Sequence, residues 1–110
     1  MAEIVFTAEA IRDIEEIRAY IAQDSARYAD RQVQRFYLEV ERLARFPLSG
    51  RMVPEVEVYS VREVIIGNYR MMYRLLEPDI VEIMIIHHGK RRFPCGRIMP
   101  GEVKPPRRRR

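Results

Sequence analysis

Basic side chains are concentrated at one end of this 110-residue chain, whose formal net charge is +4. From Ile86 onward there are nine lysines and arginines and one acid, a net of +8, whereas the first 85 residues carry 11 basic and 15 acidic side chains, a net of −4. Clustered ammonium and guanidinium groups bind phosphates and carboxylates. The sequence therefore predicts a polyanionic or acidic partner at this end, although Arg107–Arg110 alone are equally compatible with a solvated tail.

Other reactive side chains are few. The single cysteine, Cys95, has no partner for an internal disulfide and no companions at metal-ligand spacing, which predicts a reducing cytoplasm and no metal or cofactor. Apolar runs such as Ile83–Ile86 are far shorter than the roughly 20 residues of a membrane helix. With 47% hydrophobic and 33% charged residues, the chain is predicted to be one small soluble domain without a membrane or secretory segment.

Two helices are predicted to follow a short strand. The apolar run Ile4–Phe6 ends at Thr7, a residue type that caps helices. Isoleucines then recur every three or four residues, and the charged residues between them, among them Asp13, are predicted to be exposed. Ser25 is a second cap, and the next apolar stripe ends where Pro47 stops the helix. The short link between the helices predicts a helical hairpin.

Three strands are predicted after a loop at Leu48–Val58. They are Val61–Ile66, Tyr69–Leu76 and Ile80–His88, separated by turn residues. The predicted fold is α+β in the order β-α-α-β-β-β, an antiparallel sheet with the helical hairpin packed on one face and an open opposite face. Residues 1–93 are predicted to form the single domain, and the basic, proline-containing residues 94–110 are predicted to be a flexible tail.

The turn lengths predict which side chains share a face of the sheet. A three-residue loop at Glu77–Asp79 places Arg74 opposite Glu82 and Arg70 opposite Ile86. The core face then collects Val64, Ile66, Tyr69, Met71, Tyr73, Leu75, Val81, Ile83 and Ile85. The opposite face collects Glu63, Ile65, Arg70, Met72, Arg74, Glu82, Met84, Ile86 and His88.

The same pairing separates the two histidines. His88 is predicted on the open face, diagonal to Arg70, and His87 on the core side. A histidine at the end of a sheet is more often a structural hydrogen-bonding residue than a catalyst.

Five segments in order on this layout carry a family resemblance. They are TAEAIRDI at 7–14, FPLSGRMVPE at 46–55, RE at 62–63, YRMMY at 69–73 and HGKRR at 88–92. Together, over residues 3 to 93, they resemble the RelE/ParE family of toxins from bacterial type II toxin-antitoxin systems. The resemblance implies a growth-arresting, plasmid-stabilising toxin, neutralised by an acidic antitoxin that wraps around it in a hetero-oligomer.

The resemblance also implies candidate site residues. RelE-like members cleave mRNA in the ribosome, whereas ParE-like members poison DNA gyrase without nuclease activity. The catalytic positions of nuclease members match Glu55 as base, Arg70 as stabiliser of the phosphorane charge and His88 as acid. The positions implied to bind nucleic acid or another target are Arg51, Lys90, Arg91 and Arg92.

Several functions remain open from the sequence, and with them whether the chain is an enzyme. Gyrase poisoning is slightly favoured, because the long second helix and the TAEA start look more like ParE. The alternative is a RelE-like endoribonuclease using Glu55, Arg70 and His88. A second alternative is a non-toxic nucleic-acid-binding module, disfavoured because Phe93 is the only aromatic residue after Tyr73. Non-catalytic interpretations also stand: Arg70 would pair with Glu63 at an exposed site of little energetic value, and Glu55 would anchor its loop.

Overall fold

The computed structural model of the protein describes residues 1–91. Its elements are β1 (Glu3–Phe6), α1 (Ala8–Ala22), α2 (Ala26–Arg45), a short 3-10 turn (Pro47–Ser49), β2 (Arg51–Met52), β3 (Val61–Ile66), β4 (Tyr69–Leu76) and β5 (Ile80–His88). The candidate binding residue Arg92 and the predicted tail 94–110 lie outside the described residues. No helix within residues 1–91 is long and apolar enough to cross a membrane.

Both predicted helix caps form. The Thr7 hydroxyl accepts a hydrogen bond from the Ala10 N–H at 3.0 Å, and the Ser25 hydroxyl accepts one from the Tyr28 N–H at 3.2 Å. Each bond satisfies one of the backbone donors that a helix leaves unpaired at its first turn. α2 ends two residues before Pro47, as predicted. Local sequence therefore determines where each of the two helices begins and where α2 ends.

The α+β fold is confirmed, with differences in the sheet. β3, β4 and β5 form the predicted antiparallel meander, but the five strands are ordered β1-β5-β4-β3-β2. β1 pairs in parallel with β5, with Ile4 opposite Val81, so the prediction of a purely antiparallel sheet is wrong. This pairing gives partners to backbone groups on the outer edge of β5. Arg51 and Met52 form the extra strand β2 inside the segment predicted to be a loop.

The sheet has two faces with different covers. On one, the helix face, α1 and α2 pack over a large apolar core that includes Phe36, Leu43 and Tyr73. On the other, the loop face, a second apolar cluster forms under the segment 53–58. Its buried members are Val53, Val56, Val61, Met72, Met84 and Ile85. The loop face is therefore partly closed, contrary to the prediction of an open face, because the valines of the loop bury its methionines.

A β-bulge changes the register halfway along the last hairpin. Arg74 lies opposite Glu82 as predicted, and pairing continues to Tyr73 opposite Ile83. It then shifts, so that Met72 lies opposite Ile85 instead of Met84. One extra residue in a strand reverses the face of every side chain beyond it. Ile85 consequently joins the loop-face cluster, and Ile86 takes its predicted place in the core under the helices.

The bulge reverses the faces of the sheet on which the two histidines were predicted to lie. Beyond it, His87 lies opposite Arg70 and His88 lies opposite Tyr69. The predicted placement of His88 on the same face as Arg70 is therefore wrong, because the uniform alternation on which it rests is broken at the bulge.

Candidate functional site

Four charged side chains form an ion-pair network on the loop face: Arg51, Glu55, Glu63 and Arg70. Arg70 on β4 donates through Nε to Glu63 Oε1 at 2.6 Å, and through Nη1 and Nη2 to the two Glu55 oxygens at 3.1 and 2.8 Å. Arg51 on β2 donates to the other Glu63 oxygen, Oε2, from Nε at 2.7 Å and from Nη2 at 2.6 Å. Two arginines thus face two carboxylates, and the network has no net charge.

Exposure differs sharply across this network. The Glu63 side chain is fully buried, Arg70 is 12% exposed, Glu55 38% and Arg51 61%. A buried carboxylate is costly unless it is paired and hydrogen-bonded, and Glu63 is both. Its pairing with Arg70 is therefore not the exposed contact expected from the sequence. Glu55 does anchor its loop, because both of its carboxylate oxygens accept hydrogen bonds from Arg70.

The entry to the covering loop is fixed by Tyr73. The buried Tyr73 hydroxyl donates to the Pro47 carbonyl at 2.7 Å and accepts from the Gly50 N–H at 3.0 Å. A Cβ placed on Gly50 would lie 2.5 Å from the Tyr73 hydroxyl oxygen and 2.6 Å from the Glu63 carbonyl oxygen. Only glycine fits there, and this close approach brings β2 against β3 so that Arg51 reaches Glu63.

The contacts of the network shift the pKa of two members. The hydrogen bonds from Arg70 lower the pKa of Glu55 below its ordinary value of 4.5, against the opposing effect of burial. The hydrogen bonds to Glu55, with the one to Glu63, raise the pKa of Arg70. Glu55 is therefore an ionised carboxylate at neutral pH and a weak proton acceptor, because a good general base titrates near the working pH.

His88 lies apart from this network. Its ring contacts the Tyr69 ring edge-on at 5.3 Å between centroids, and Tyr69 packs against Phe36 on the helix face. The Nδ1 atom of His88 accepts a hydrogen bond from the Lys90 N–H at 3.2 Å. The structure brings Glu55 and Arg70 together and leaves His88 on the other side of the sheet.

A cleft of about 480 Å³ opens beside His88, between α1 and the end of β5. Its wall combines acidic, aromatic and basic side chains, which are Asp13, Glu16, Tyr20, Tyr69, His88, Lys90 and Arg91. Its volume is within the range of ligand-binding pockets. Lys90 and Arg91, two of the predicted binding residues, therefore line this cleft. Arg51, the third predicted binding residue that the structure describes, lies on the opposite face of the sheet, in the ion-pair network.

The structural roles of two residues of this region were missed by the sequence prediction. Asp13 is buried, although it was predicted to be exposed, and its carboxylate accepts from the Ile86 N–H at 3.0 Å. The signal was present, because Asp13 follows the buried Ala10 by three residues and precedes Ile17 by four, which places it on the apolar stripe. The second is Tyr73, whose hydroxyl holds the turn before β2.

Within residues 1–91, no group of three His, Cys, Asp or Glu side chains could hold a metal ion.

Known proteins match this chain over most of its length. The family model described as the ParE toxin of type II toxin-antitoxin systems, parDE, matches residues 4–93. Y4kP of Sinorhizobium fredii is 34% identical over 93 residues, covering 83% of this chain and 92% of that protein. Toxin RelE2 of Caulobacter vibrioides is 33% identical over 92 residues, covering 83% and 99%.

Solved structures share the fold. A chain of the chromosomal ParDE system of P. aeruginosa superposes with a TM-score of 0.65 at 22% identity, over 80% of this chain and 96% of that one. A chain of the RelBE2 toxin-antitoxin complex of Mycobacterium tuberculosis gives a TM-score of 0.52 at 24% identity, over 79% and 96%. The arrangement of two helices on a five-stranded sheet is therefore shared with both.

Proposed function

The chain belongs to the ParE toxin family of type II toxin-antitoxin systems, and we propose that it arrests growth by binding and poisoning DNA gyrase rather than by cutting RNA. This proposal rests on the hydrogen bonds that Arg70 makes to two carboxylates. Its guanidinium is held by Glu63 on one side and by both oxygens of Glu55 on the other. An arginine whose charge is balanced in this way offers little to the developing charge on a phosphorane.

The position of His88 supports the same proposal. A general acid must lie within hydrogen-bond reach of the leaving oxygen, on the same face as the charge stabiliser. His88 lies opposite Tyr69 and next to the cleft, whereas Arg70 lies opposite His87. A toxin that acts by binding needs a surface instead, and the basic residues Lys90 and Arg91 at the mouth of the cleft supply one.

We further propose that a cognate acidic antitoxin neutralises the toxin by wrapping around it and covering this basic mouth. Opposite charges favour such docking and accelerate encounter. The two solved structures similar in fold come from a ParDE system and from a RelBE2 toxin-antitoxin complex. On this proposal the toxin acts in the cytoplasm and stabilises the plasmid or replicon that carries the gene pair.

An RNA-cleaving toxin is the second candidate, since one observation favours it. Glu55 and Arg70, the two positions implied as base and charge stabiliser, are in direct contact at 2.8 Å. A relative at 33% identity also carries the name Toxin RelE2. For cleavage, Glu55 would have to leave Arg70 when RNA arrives, and His88 would have to act from the opposite face or be replaced by another acid.

Inducing the full chain with and without its antitoxin separates the two candidates. We expect growth arrest and loss of gyrase supercoiling activity, with no new mRNA 5′ ends. The variants Glu55→Gln and His88→Ala should remain toxic, and Glu57→Gln, an exposed carboxylate in the same loop, is the matched control. New mRNA ends that disappear in Glu55→Gln and His88→Ala but persist in Glu57→Gln would instead establish the nuclease.

A further inference from the structure

The outward side of α2 is an arginine face. Because an α-helix turns about 100° per residue, its five arginines fall within a sector of about 80°. They are Arg27, Arg31, Arg35, Arg42 and Arg45, and all five are exposed. The buried residues of the helix, such as Phe36 and Leu43, lie on its opposite side and pack on the sheet. The arginine face therefore lies on the side of α2 away from the sheet, and of its members Arg35 reaches back to the β3–β4 turn, where a Cβ on Gly67 would lie 3.3 Å from its Nη1.

The charges of this face are mostly not neutralised within the described chain. Arg42 pairs with Glu39, and the acidic Asp30 of the same helix is paired with Arg18 of α1 at 2.6 Å. Among residues 1–91, seven arginines have no ion pair to a carboxylate within 4.0 Å, and they are Arg12, Arg27, Arg31, Arg35, Arg45, Arg62 and Arg91. Four of these seven lie on the arginine face, so its positive charge remains available to a partner.

We propose that the arginine face of α2 binds the phosphate backbone of double-stranded DNA without sequence preference. From Arg27 to Arg45 the face is about 27 Å long, and Arg27, Arg31 and Arg35 follow each other at intervals of about 6 Å along the helix axis. A row of guanidinium groups on a rigid rod suits a regular row of phosphates, and arginine binds each phosphate through a planar fork of donors.

The composition of the face favours DNA over an acidic protein. The fully buried cores of protein interfaces are depleted in charged residues, and a partner helix needs an apolar stripe to enter a groove. On this face, Leu38 is the one large apolar side chain between the arginines, whereas phosphate contacts need only cations. The proposal goes beyond gyrase poisoning and does not depend on it, because binding is measured with DNA alone.

Salt dependence of binding tests the proposal directly. The full chain, made by cell-free synthesis, is titrated onto a fluorescent duplex of about 20 base pairs from about 25 to about 200 mM KCl. Each neutralised phosphate contributes about −0.9 to the slope of log K against log salt. The triple variant Arg27→Gln/Arg31→Gln/Arg35→Gln is therefore expected to move the slope toward zero by about 3. Replacing the same arginines by lysine should restore most of the slope.

A variant with the same loss of charge provides the control. Arg107→Gln/Arg108→Gln/Arg109→Gln also removes three arginines, and it should change the slope less than the helix variant does. Circular dichroism checks that each variant folds, and Arg45→Gln alone, expected to change the slope by about 1, replaces the triple variant if that one does not. The proposal is overturned if the full chain does not bind the duplex, if the helix variants leave the slope unchanged, or if they abolish binding to poly-glutamate but not to DNA.

Discussion

Asp13 of α1 accepts a hydrogen bond from the backbone N–H of Ile86 at 3.0 Å, on β5 just beyond the bulge. At the bulge itself, the Thr7 hydroxyl donates to the carbonyl oxygen of Met84, the residue that the pairing skips, at 2.7 Å. A bulge leaves backbone groups without ladder partners. The start of α1 supplies those partners, and it thereby fixes which of the two histidines points to each face of the sheet.

Asp13→Ala is therefore expected to destabilise the protein. The substitution leaves the Ile86 N–H buried without its acceptor, which costs about 1 to 3 kcal/mol of the free energy of unfolding. Urea unfolding followed by circular dichroism measures the loss. Glu15→Ala, an exposed carboxylate on the same helix, is the control and should change the free energy of unfolding by no more than about 0.5 kcal/mol. Equal effects of the two substitutions would contradict the role of Asp13.

The bulge also marks the limit of what sequence could predict. The three strands of the meander have the predicted bounds, because Gly67 and Pro78 interrupt clear strand patterns. The register is right from Leu76 to Tyr73 and fails beyond it. Met84, Ile85 and Ile86 are all apolar, so alternation cannot show which of them faces the helices. The bulge is stabilised from α1, by contacts more than 70 residues away in sequence.

The sequence predicted which residues form the candidate site, but it did not predict how they are paired and buried. Family resemblance selected Glu55 and Arg70, and they do meet. Nothing in the local sequence indicated that Glu63 would be fully buried between two arginines. That burial arises because the loop at 53–58 covers the methionines of the sheet, and valines spaced among prolines and glutamates give no periodic signal of it.

Tyr73→Phe tests how the turn before β2 is held. The substitution removes one hydroxyl and leaves both the Pro47 carbonyl and the Gly50 N–H without their partner. We expect a loss of about 1 to 3 kcal/mol in the free energy of unfolding. Tyr59→Phe removes an exposed hydroxyl and should have little effect. If both substitutions leave the urea midpoint where it is, the hydroxyl does not fix the turn.

The pH dependence of stability should report on Glu55. Because Arg70 lowers its pKa in the folded protein, the pair stabilises the fold when Glu55 is ionised, and this stabilisation is complete above the ordinary value of 4.5. It is lost as the pH falls below 4.5 and through the lowered pKa. Wild type and Glu55→Gln should therefore differ in urea midpoint at neutral pH and converge in acid. A difference that stays constant with pH, or that Glu57→Gln reproduces, would contradict this assignment.

The inner carboxylate of the ion-pair network, Glu63, and its outer cation, Arg51, should respond very differently to substitution. Glu63→Gln removes the buried carboxylate that faces Arg70 and Arg51; because Glu55 still pairs with Arg70, we expect a loss of about 3 kcal/mol, the low end of the cost of breaking a buried pair. Arg51→Gln removes a cation that is 61% exposed and leaves the bond between Glu63 and Arg70 in place, so its loss should be smaller than that for Glu63→Gln. Urea unfolding of both variants and of the double variant gives the two losses and their coupling. A loss for Arg51→Gln as large as that for Glu63→Gln would show that Arg51, not Arg70, stabilises the buried carboxylate.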